Sequence, residues 1–279
     1  MSGFSPEWLA LREPADTRAR DPGLLAALAQ HLAARNSLEV VDLGCGTGAN
    51  IRAIAPALGA GQRWTLVDYD PALLAAARVA LLDWADETSE NGVSIVLMKD
   101  GLDIAVTFRQ ADLMQELETV VGGGPDLVTA SALFDLCSAD YIARMARAVA
   151  GEGAAFYTVL TYNGEQSWSP THPADADMVA AFNEHQQIDK GFGSAAGPAA
   201  PAALALGFRQ AGYQVVEAPS PWRMDSSEQA LIDALAGGFA GAVGEIGRVP
   251  PDVVADWLKV RRDGCVVGHI DTLALPAKK

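Results

Sequence analysis

Cysteine is scarce in this 279-residue chain: Cys45, Cys137 and Cys265 are far apart, odd in number, and never in a C-x-x-C pair. That excludes a disulfide framework and a cysteine-built metal site, so no metal is expected. The thiols read as small apolar fillers in a reducing compartment. Basic residues are also few, 20 Lys and Arg against 35 Asp and Glu, for a formal charge of −15. Such a chain repels phosphate backbones and anionic headgroups, and no local basic patch offsets the acidity. Nucleic acid and membrane surfaces are therefore excluded as expected partners. No apolar run approaches the roughly 18 residues of a membrane span. The N-terminus has no basic segment leading into an apolar one, as a signal peptide would. The expectation is a cytoplasmic protein, monomeric or homodimeric, whose partner is a small molecule.

What is present is an apolar chain, half its residues hydrophobic, with one distinctive turn. Val40-Val41-Asp42-Leu43-Gly44-Cys45-Gly46-Thr47-Gly48-Ala49-Asn50 reads as a strand, a tight glycine turn and the start of a helix. Glycine tolerates positive φ and has no Cβ to keep a ligand from the backbone. The following helix N-terminus presents free N–H groups beside the turn. A polar small molecule is expected there, at the carboxyl end of a parallel strand.

The rest of the chain alternates strands and helices from 38 to 160, which argues for a doubly wound, mostly parallel α/β sheet. Trp64–Asp68 is a second short strand closed by an acid, and Asp70-Pro71 caps a long helix to about Ala85. Asp100-Gly101 between two strand-like runs signals a hairpin over 94–109. Asp126–Ser131 and Ala154–Leu160 are strands around a helix at 139–150. Tyr213–Glu217 and Cys265–Leu275 complete the sheet, with helices at 204–211, 226–246 and 251–262. Asp21-Pro22 marks the second of two N-terminal helices. Two segments stand outside the rhythm. Residues 1–36 are expected to form a helical cap, and 162–203, rich in Gly, Pro, His and Trp, an insertion in the main domain of 37–279. Both are expected to cover the carboxyl edge of the sheet.

The turn fits two patterns. Gly44-x-Gly46-x-x-Ala49, with Asp68 downstream, fits a dinucleotide fingerprint and leaves an NAD-dependent oxidoreductase open. Asp42-x-Gly44-x-Gly46-x-Gly48 resembles motif I of the class I S-adenosylmethionine-dependent methyltransferases, a Rossmann-like family. The resemblance runs in order along residues 38–160. Asp68, followed by Tyr69, matches the family's acid after the second strand, which binds the ribose hydroxyls. Asp112, followed by Leu113, matches the acid that accepts from the adenine amine. Ser131–Asp135 occupies the loop after the fourth strand, where the family places cofactor and substrate contacts. The resemblance implies a seven-stranded sheet with its last strand antiparallel, and S-adenosyl-L-methionine as cofactor. The implied cofactor residues are Asp42, Gly44, Cys45, Gly46, Asp68, Tyr69, Asp112, Leu113 and Ser131. In this fold the chain before the first strand often covers the cofactor, so Arg12, Arg18 or Arg20 is a candidate for its carboxylate. Arg20 is the one selected.

The implied reaction is methyl transfer to oxygen or nitrogen of a small molecule. It demands alignment and exclusion of water more than a fixed catalytic group, and a base only where a proton must leave. A binding protein without transferase activity, acting as a sensor or inactive partner, is the alternative from another class. Acceptor-side candidates are Phe134 in the loop after the fourth strand and Tyr162, Trp168, His172, Asn183 and Gln186 in the insertion, with Asn163, Asp189 and Lys190 nearby. Phe182, His185 and Gln186 share a helix face, and His185 is the candidate base. His269 and Asp271, in the last strand, read as structural.

Overall fold

The computed structural model describes residues 4–59, 61–91 and 94–277. Its first helices are α1 (Pro6–Ala19) and α2 (Pro22–Leu32), followed by β1 (Leu38–Leu43), α3 (Ala49–Ile54) and β2 (Gln62–Asp68). Next come α4 (Pro71–Trp84), β3 (Glu87–Asn91), β4 (Ser94–Lys99), β5 (Leu102–Gln110), α5 (Leu113–Val121) and β6 (Leu127–Ser131). Then follow α6 (Ala139–Glu152), β7 (Ala155–Ser169), α7 (Asp175–His185), α8 (Ala200–Gln210) and β8 (Tyr213–Pro219). The chain ends with β9 (Trp222–Met224), α9 (Gln229–Ile246), α10 (Pro251–Lys259) and β10 (Gly264–Pro276).

The strand order is β3-β4-β5-β2-β1-β6-β7-β10-β8, with β9 on the free end of β10. β5, β2, β1, β6 and β7 run parallel, and β10 enters antiparallel between β7 and β8. The expected seven-stranded sheet is therefore present, but the described residues hold ten strands. The hairpin around Asp100 (φ 51°) and Gly101 (φ 79°) forms β4 and β5 as expected. β3 adds a polar outer strand, Glu-Thr-Ser-Glu-Asn, that has no apolar alternation to announce it. It exists because β4 offers a free edge of backbone groups.

The core lies on both faces of the sheet, as the unbroken apolar runs of buried parallel strands require. On one face Leu38, Val40, Trp64 and Leu66 pack under Leu24, Leu28, Leu32, Ile51, Ile54 and Leu81 from α2, α3 and α4. On the other, Val41, Leu43, Val128 and Phe156 pack under Leu117, Ile142, Met145 and Phe208 from α5, α6 and α8. Adjacent residues of β1 thus serve opposite layers, the period-2 signature of a strand. The order reverses at β1, whose neighbours are β2 and β6. That is where an open α/β sheet parts its loops to leave a crevice.

Two local signals act as read: Asp21 accepts from Leu24 N–H at 2.8 Å, and Asp70 from Ala72 N–H at 2.8 Å, each capping a helix with Pro at its first position. The strand expected to end at Leu160 instead continues to Ser169, because β10 pairs along its whole length. Tyr162 and Trp168 therefore sit on a strand. No described helix is long and apolar enough to cross a membrane.

Candidate functional site

A cleft of about 480 Å³ opens at the carboxyl ends of β1, β2, β5 and β6. Its floor is the glycine turn. Gly44, Gly46 and Gly48 have φ of 63°, 54° and 73°, values that side-chain-bearing residues adopt only with strain. A Cβ on Gly46 would come 3.1 Å from Leu9 Cδ1, and one on Gly44 3.2 Å from Leu133 Cδ1. Side chains at either position would fill the space between the turn and the opposite walls.

Asp68, at the end of β2, turns back to the glycine turn: its Oδ2 accepts from Gly46 N–H at 2.9 Å and its Oδ1 from Asp70 N–H at 3.0 Å. Burial raises its carboxyl above the usual range, and those two amides pull it back. Tyr69 beside it is exposed. Asp112, after β5, caps α5 through Met114 N–H at 2.9 Å and lines the same cleft, followed by buried Leu113. Ser131, Ala132 and Leu133 close the far side. Ala132 holds a positive φ of 51° without being glycine. The Cys45 thiol also lines the cleft, but burial pushes its pKa well above the ordinary value, so it keeps its proton.

The roof comes from outside the alternating units. α1 lies across the turn, clamped by Glu13 on Arg52 at 2.6 Å, while Arg52 also donates to Thr47 O at 2.8 Å. This places Leu9, Arg12 and Asp16 on the cleft. Asp16 receives Arg12 Nε at 2.9 Å and Nη2 at 3.3 Å, and is itself fixed by Trp222 Nε1–H at 3.0 Å. The Arg12 guanidinium lies 5.2 Å from the centre of the Trp222 ring. Asp271 anchors the α1–α2 junction to the sheet by accepting from Asp21 N–H and Leu160 N–H, both at 2.9 Å. On the other rim Lys190, Gly191 and Phe192 complete the wall.

The sequence candidates divide accordingly. Gly44, Cys45, Gly46, Asp68, Tyr69, Asp112, Leu113 and Ser131 meet in one cleft. Arg20 and Asp42 are not among its walls. They lie beneath it, where Arg20 Nη1 donates to Asn50 Oδ1 at 2.8 Å and Asn50 Nδ2 donates to Asp42 Oδ1 at 2.8 Å. Asn50, unremarked in the sequence, lines the cleft above that chain of contacts. Arg18 pairs with Glu228 away from it. Of the three arginines considered, Arg12 is the one on the cleft.

The acceptor candidates are not among the cleft walls either. Phe134 is fully buried against Phe156. Tyr162 donates to Asn183 Oδ1 at 2.8 Å, and Asn183 Nδ2 to Gly164 O at 3.0 Å. Trp168 packs edge-on to Trp257 and Phe239. His172 Nδ1 accepts from Ala174 N–H at 3.1 Å. Gln186 ends α7, its carbonyl and Cβ close behind Gly197. His185 stands between Glu245 at 3.0 Å and Lys190 at 3.4 Å. The helical face that the spacing suggested is real, but Phe182 turns it toward the aromatic core at Phe239.

Asp42 carries a pH prediction. Fully buried, its carboxyl is pushed up to about 7, against the pull of Asn50 and Arg20. The folded state then holds a proton that the unfolded chain releases near pH 4, so this residue withdraws stability as pH rises from about 4 to about 7. Asp42→Asn keeps the acceptor for Asn50 and cannot ionise. Its unfolding free energy, measured in urea, is expected to gain steadily on the parent protein's across that interval. A difference that stays constant from pH 4 to pH 7 would refute the raised carboxyl.

Comparison with known proteins agrees with this architecture. Residues 40–153 match the family model of a methyltransferase domain. No curated protein matches the sequence. Among solved structures, the chain is similar to the YcgJ protein from Bacillus subtilis, with a TM-score of 0.55 and 13% identity over 93% of this chain and 100% of that one. It is also similar to a putative methyltransferase from Bacillus halodurans, with a TM-score of 0.51 and 16% identity over 91% and 99%. A third is a cyclopropane synthase from Mycobacterium tuberculosis, with a TM-score of 0.52 and 12% identity over 97% and 94%. At these identities the likeness is one of fold. Residues 40–153 thus match a methyltransferase domain, and the chain has the Rossmann-like fold that its resemblance to the class I S-adenosylmethionine-dependent methyltransferases implied.

Proposed function

We propose that this protein moves the methyl group of S-adenosyl-L-methionine to an oxygen or nitrogen atom of a small molecule. The observation that carries the reading is the convergence, in one cleft, of Gly44 and Gly46, both at positive φ, with Asp68 and Asp112 from the two neighbouring strand ends. The donor set suits the cofactor. Asp68 offers two carboxylate oxygens to a ribose diol, each with lone pairs beyond the amide it already accepts. Asp112 offers an acceptor to an exocyclic amine, with Leu113 as an apolar neighbour for the ring. Arg12 offers a fixed guanidinium to a carboxylate.

The cofactor supplies a methyl group on a sulfonium, a leaving group that needs no protonation. The protein's own work is then placement. Leu9 above Gly46 and Leu133 above Gly44 keep water from the turn. The clamp of Glu13 on Arg52 holds α1 in place as a roof. Transfer itself needs the acceptor's lone pair in line with the breaking carbon–sulfur bond. His185 is not among the cleft walls, so it is not assigned as the base. We read residues 4–36 and, within the 162–203 insertion, the loop at 186–199 as the covering parts of a single domain, and the protein as acting without nucleic acid, membrane or metal.

The test is ligand-induced stabilisation. S-adenosylhomocysteine is expected to raise the melting temperature in a concentration-dependent way, and NAD to leave it unchanged. Stabilisation by NAD alone would overturn the reading. Tight S-adenosylhomocysteine binding with no methyl transfer from S-adenosylmethionine across a broad panel of acceptors would overturn the transferase and leave a binding protein.

A further inference from the structure

The rim made by Lys190–Phe192 is the part of the cleft that the cofactor residues leave unassigned. The chain reaches it by a strap from α7 to α8. Asp189 Oδ1 accepts from Gly191 N–H at 2.7 Å and from Gly193 N–H at 3.1 Å, folding the strap into a tight loop. The Phe192 ring sits 4.8 Å from that of Tyr141, and Ala196 N–H donates to Cys137 O at 2.7 Å. The strap is thereby fastened over the turn at 134–136, and Lys190 and Phe192 face the same space as Leu133 and Leu136.

Lys190 is unusual there. The chain has 35 acidic residues, and Asp16, Asp68, Asp70 and Asp112 all line this cleft. Yet among the described residues no carboxylate lies within ion-pair distance of the Lys190 ammonium. Its one recorded partner is His185 Nδ1, at 3.4 Å. Glu245 lies 3.0 Å from His185 Nε2, which favours the proton on Nε2 and leaves Nδ1 to accept from the ammonium. A half-buried ammonium held by a ring nitrogen, beside leucine and phenylalanine side chains, keeps its charge uncompensated within the protein. Arg12 differs, since Asp16 already pairs with it and its remaining N–H groups are assigned to the cofactor's carboxylate.

We propose that Lys190 selects a methyl acceptor that carries a carboxylate, its anionic end on the Lys190 ammonium and its apolar body against Leu133, Leu136 and Phe192. This rests on the methyltransferase reading above. It assigns the acceptor class: a small apolar acid rather than a cationic amine or an uncharged alcohol. A cationic acceptor would meet the ammonium with like charge, and an uncharged one would leave it unpaired in a partly desolvated site.

The experiment uses the full chain loaded with S-adenosylhomocysteine. Octanoate, cinnamate and 3-phenylpropanoate are titrated against their uncharged amides, with melting temperature and calorimetric affinity as readouts. Carboxylates are expected to stabilise the loaded protein and the matching amides to bind roughly tenfold or more weakly. Lys190→Met should abolish that preference, Lys190→Arg should restore much of it, and both should leave S-adenosylhomocysteine affinity within about twofold of the parent. Equal binding of acids and amides would overturn the proposal, as would failure of every acid to bind. Loss of S-adenosylhomocysteine affinity in Lys190→Met would overturn it too, by assigning the ammonium to the cofactor's carboxylate. Failure of the unsubstituted protein to bind S-adenosylhomocysteine would instead overturn the reading on which the proposal rests.

Discussion

Asp68→Ala is expected to raise the dissociation constant of S-adenosylhomocysteine by about 10–100-fold, the equivalent of roughly 1.5–3 kcal/mol for lost hydrogen bonds to a charged acceptor. Two effects add. The ribose loses its carboxylate partner, and Gly46 N–H and Asp70 N–H lose the oxygens that now hold the turn against β2. Asp68→Asn separates them. The amide keeps one acceptor oxygen and the side chain's shape but loses the charge, so its affinity should fall between those of the parent and the alanine variant. Isothermal titration of the purified proteins checks both. The unliganded alanine variant should also lose some melting temperature, because Gly46 N–H and Asp70 N–H are left without their acceptor, a loss that burial of the ionised Asp68 partly offsets. Affinity unchanged in Asp68→Ala would remove this residue from the cofactor site.

Asp68 was legible in the sequence because its signal is local: an acid at the end of an apolar run, two residues before an Asp-Pro helix cap. The glycine turn, the Asp100-Gly101 hairpin and the Asp21-Pro22 cap were legible for the same reason, since turns and caps depend on residues within a few positions. Where partners are distant, sequence reasoning stopped short. Nothing near residue 160 says that a strand continues to 169, because its partner β10 lies about a hundred residues on. Arg20 is the arginine selected from the sequence, yet it is Arg12 that reaches the cleft. What separates them is Asn50, which receives Arg20 from beneath the cleft, and Asp16 with Trp222, which hold Arg12 on it. His185 reads as a candidate base by type alone. Its placement behind Lys190 follows from how Phe182 docks on Phe239 of α9, a contact across more than fifty residues.

The largest loss of stability is expected for Trp257→Ala, about 3–5 kcal/mol by urea unfolding. Trp257 is fully buried and is the one buried side chain of α10. Its ring centre lies 5.1 Å from that of Trp168 on β7 and 5.3 Å from that of Phe239 on α9, and the Arg262 guanidinium sits 4.6 Å away. Its Nε1–H donates to Asp175 Oδ1 at 2.7 Å, at the start of α7. One side chain thus ties α10 to β7, α7 and α9. Alanine would open a large cavity and strip the π-face from Arg262, which is only 2% exposed and also donates to Pro170 O. Trp257→Phe keeps an aromatic ring but removes one of the donors to Asp175, which retains Arg262 and His172 N–H, so a smaller loss of about 1–2 kcal/mol is expected. None of Trp168, Trp257, Phe239 and Arg262 lines the cleft. At temperatures where the variant remains folded, its S-adenosylhomocysteine affinity should therefore match the parent's. A loss of affinity as large as the loss of stability would mean that the aromatic cluster sets the shape of the cofactor site, and that the helices behind β10 are coupled to the glycine turn.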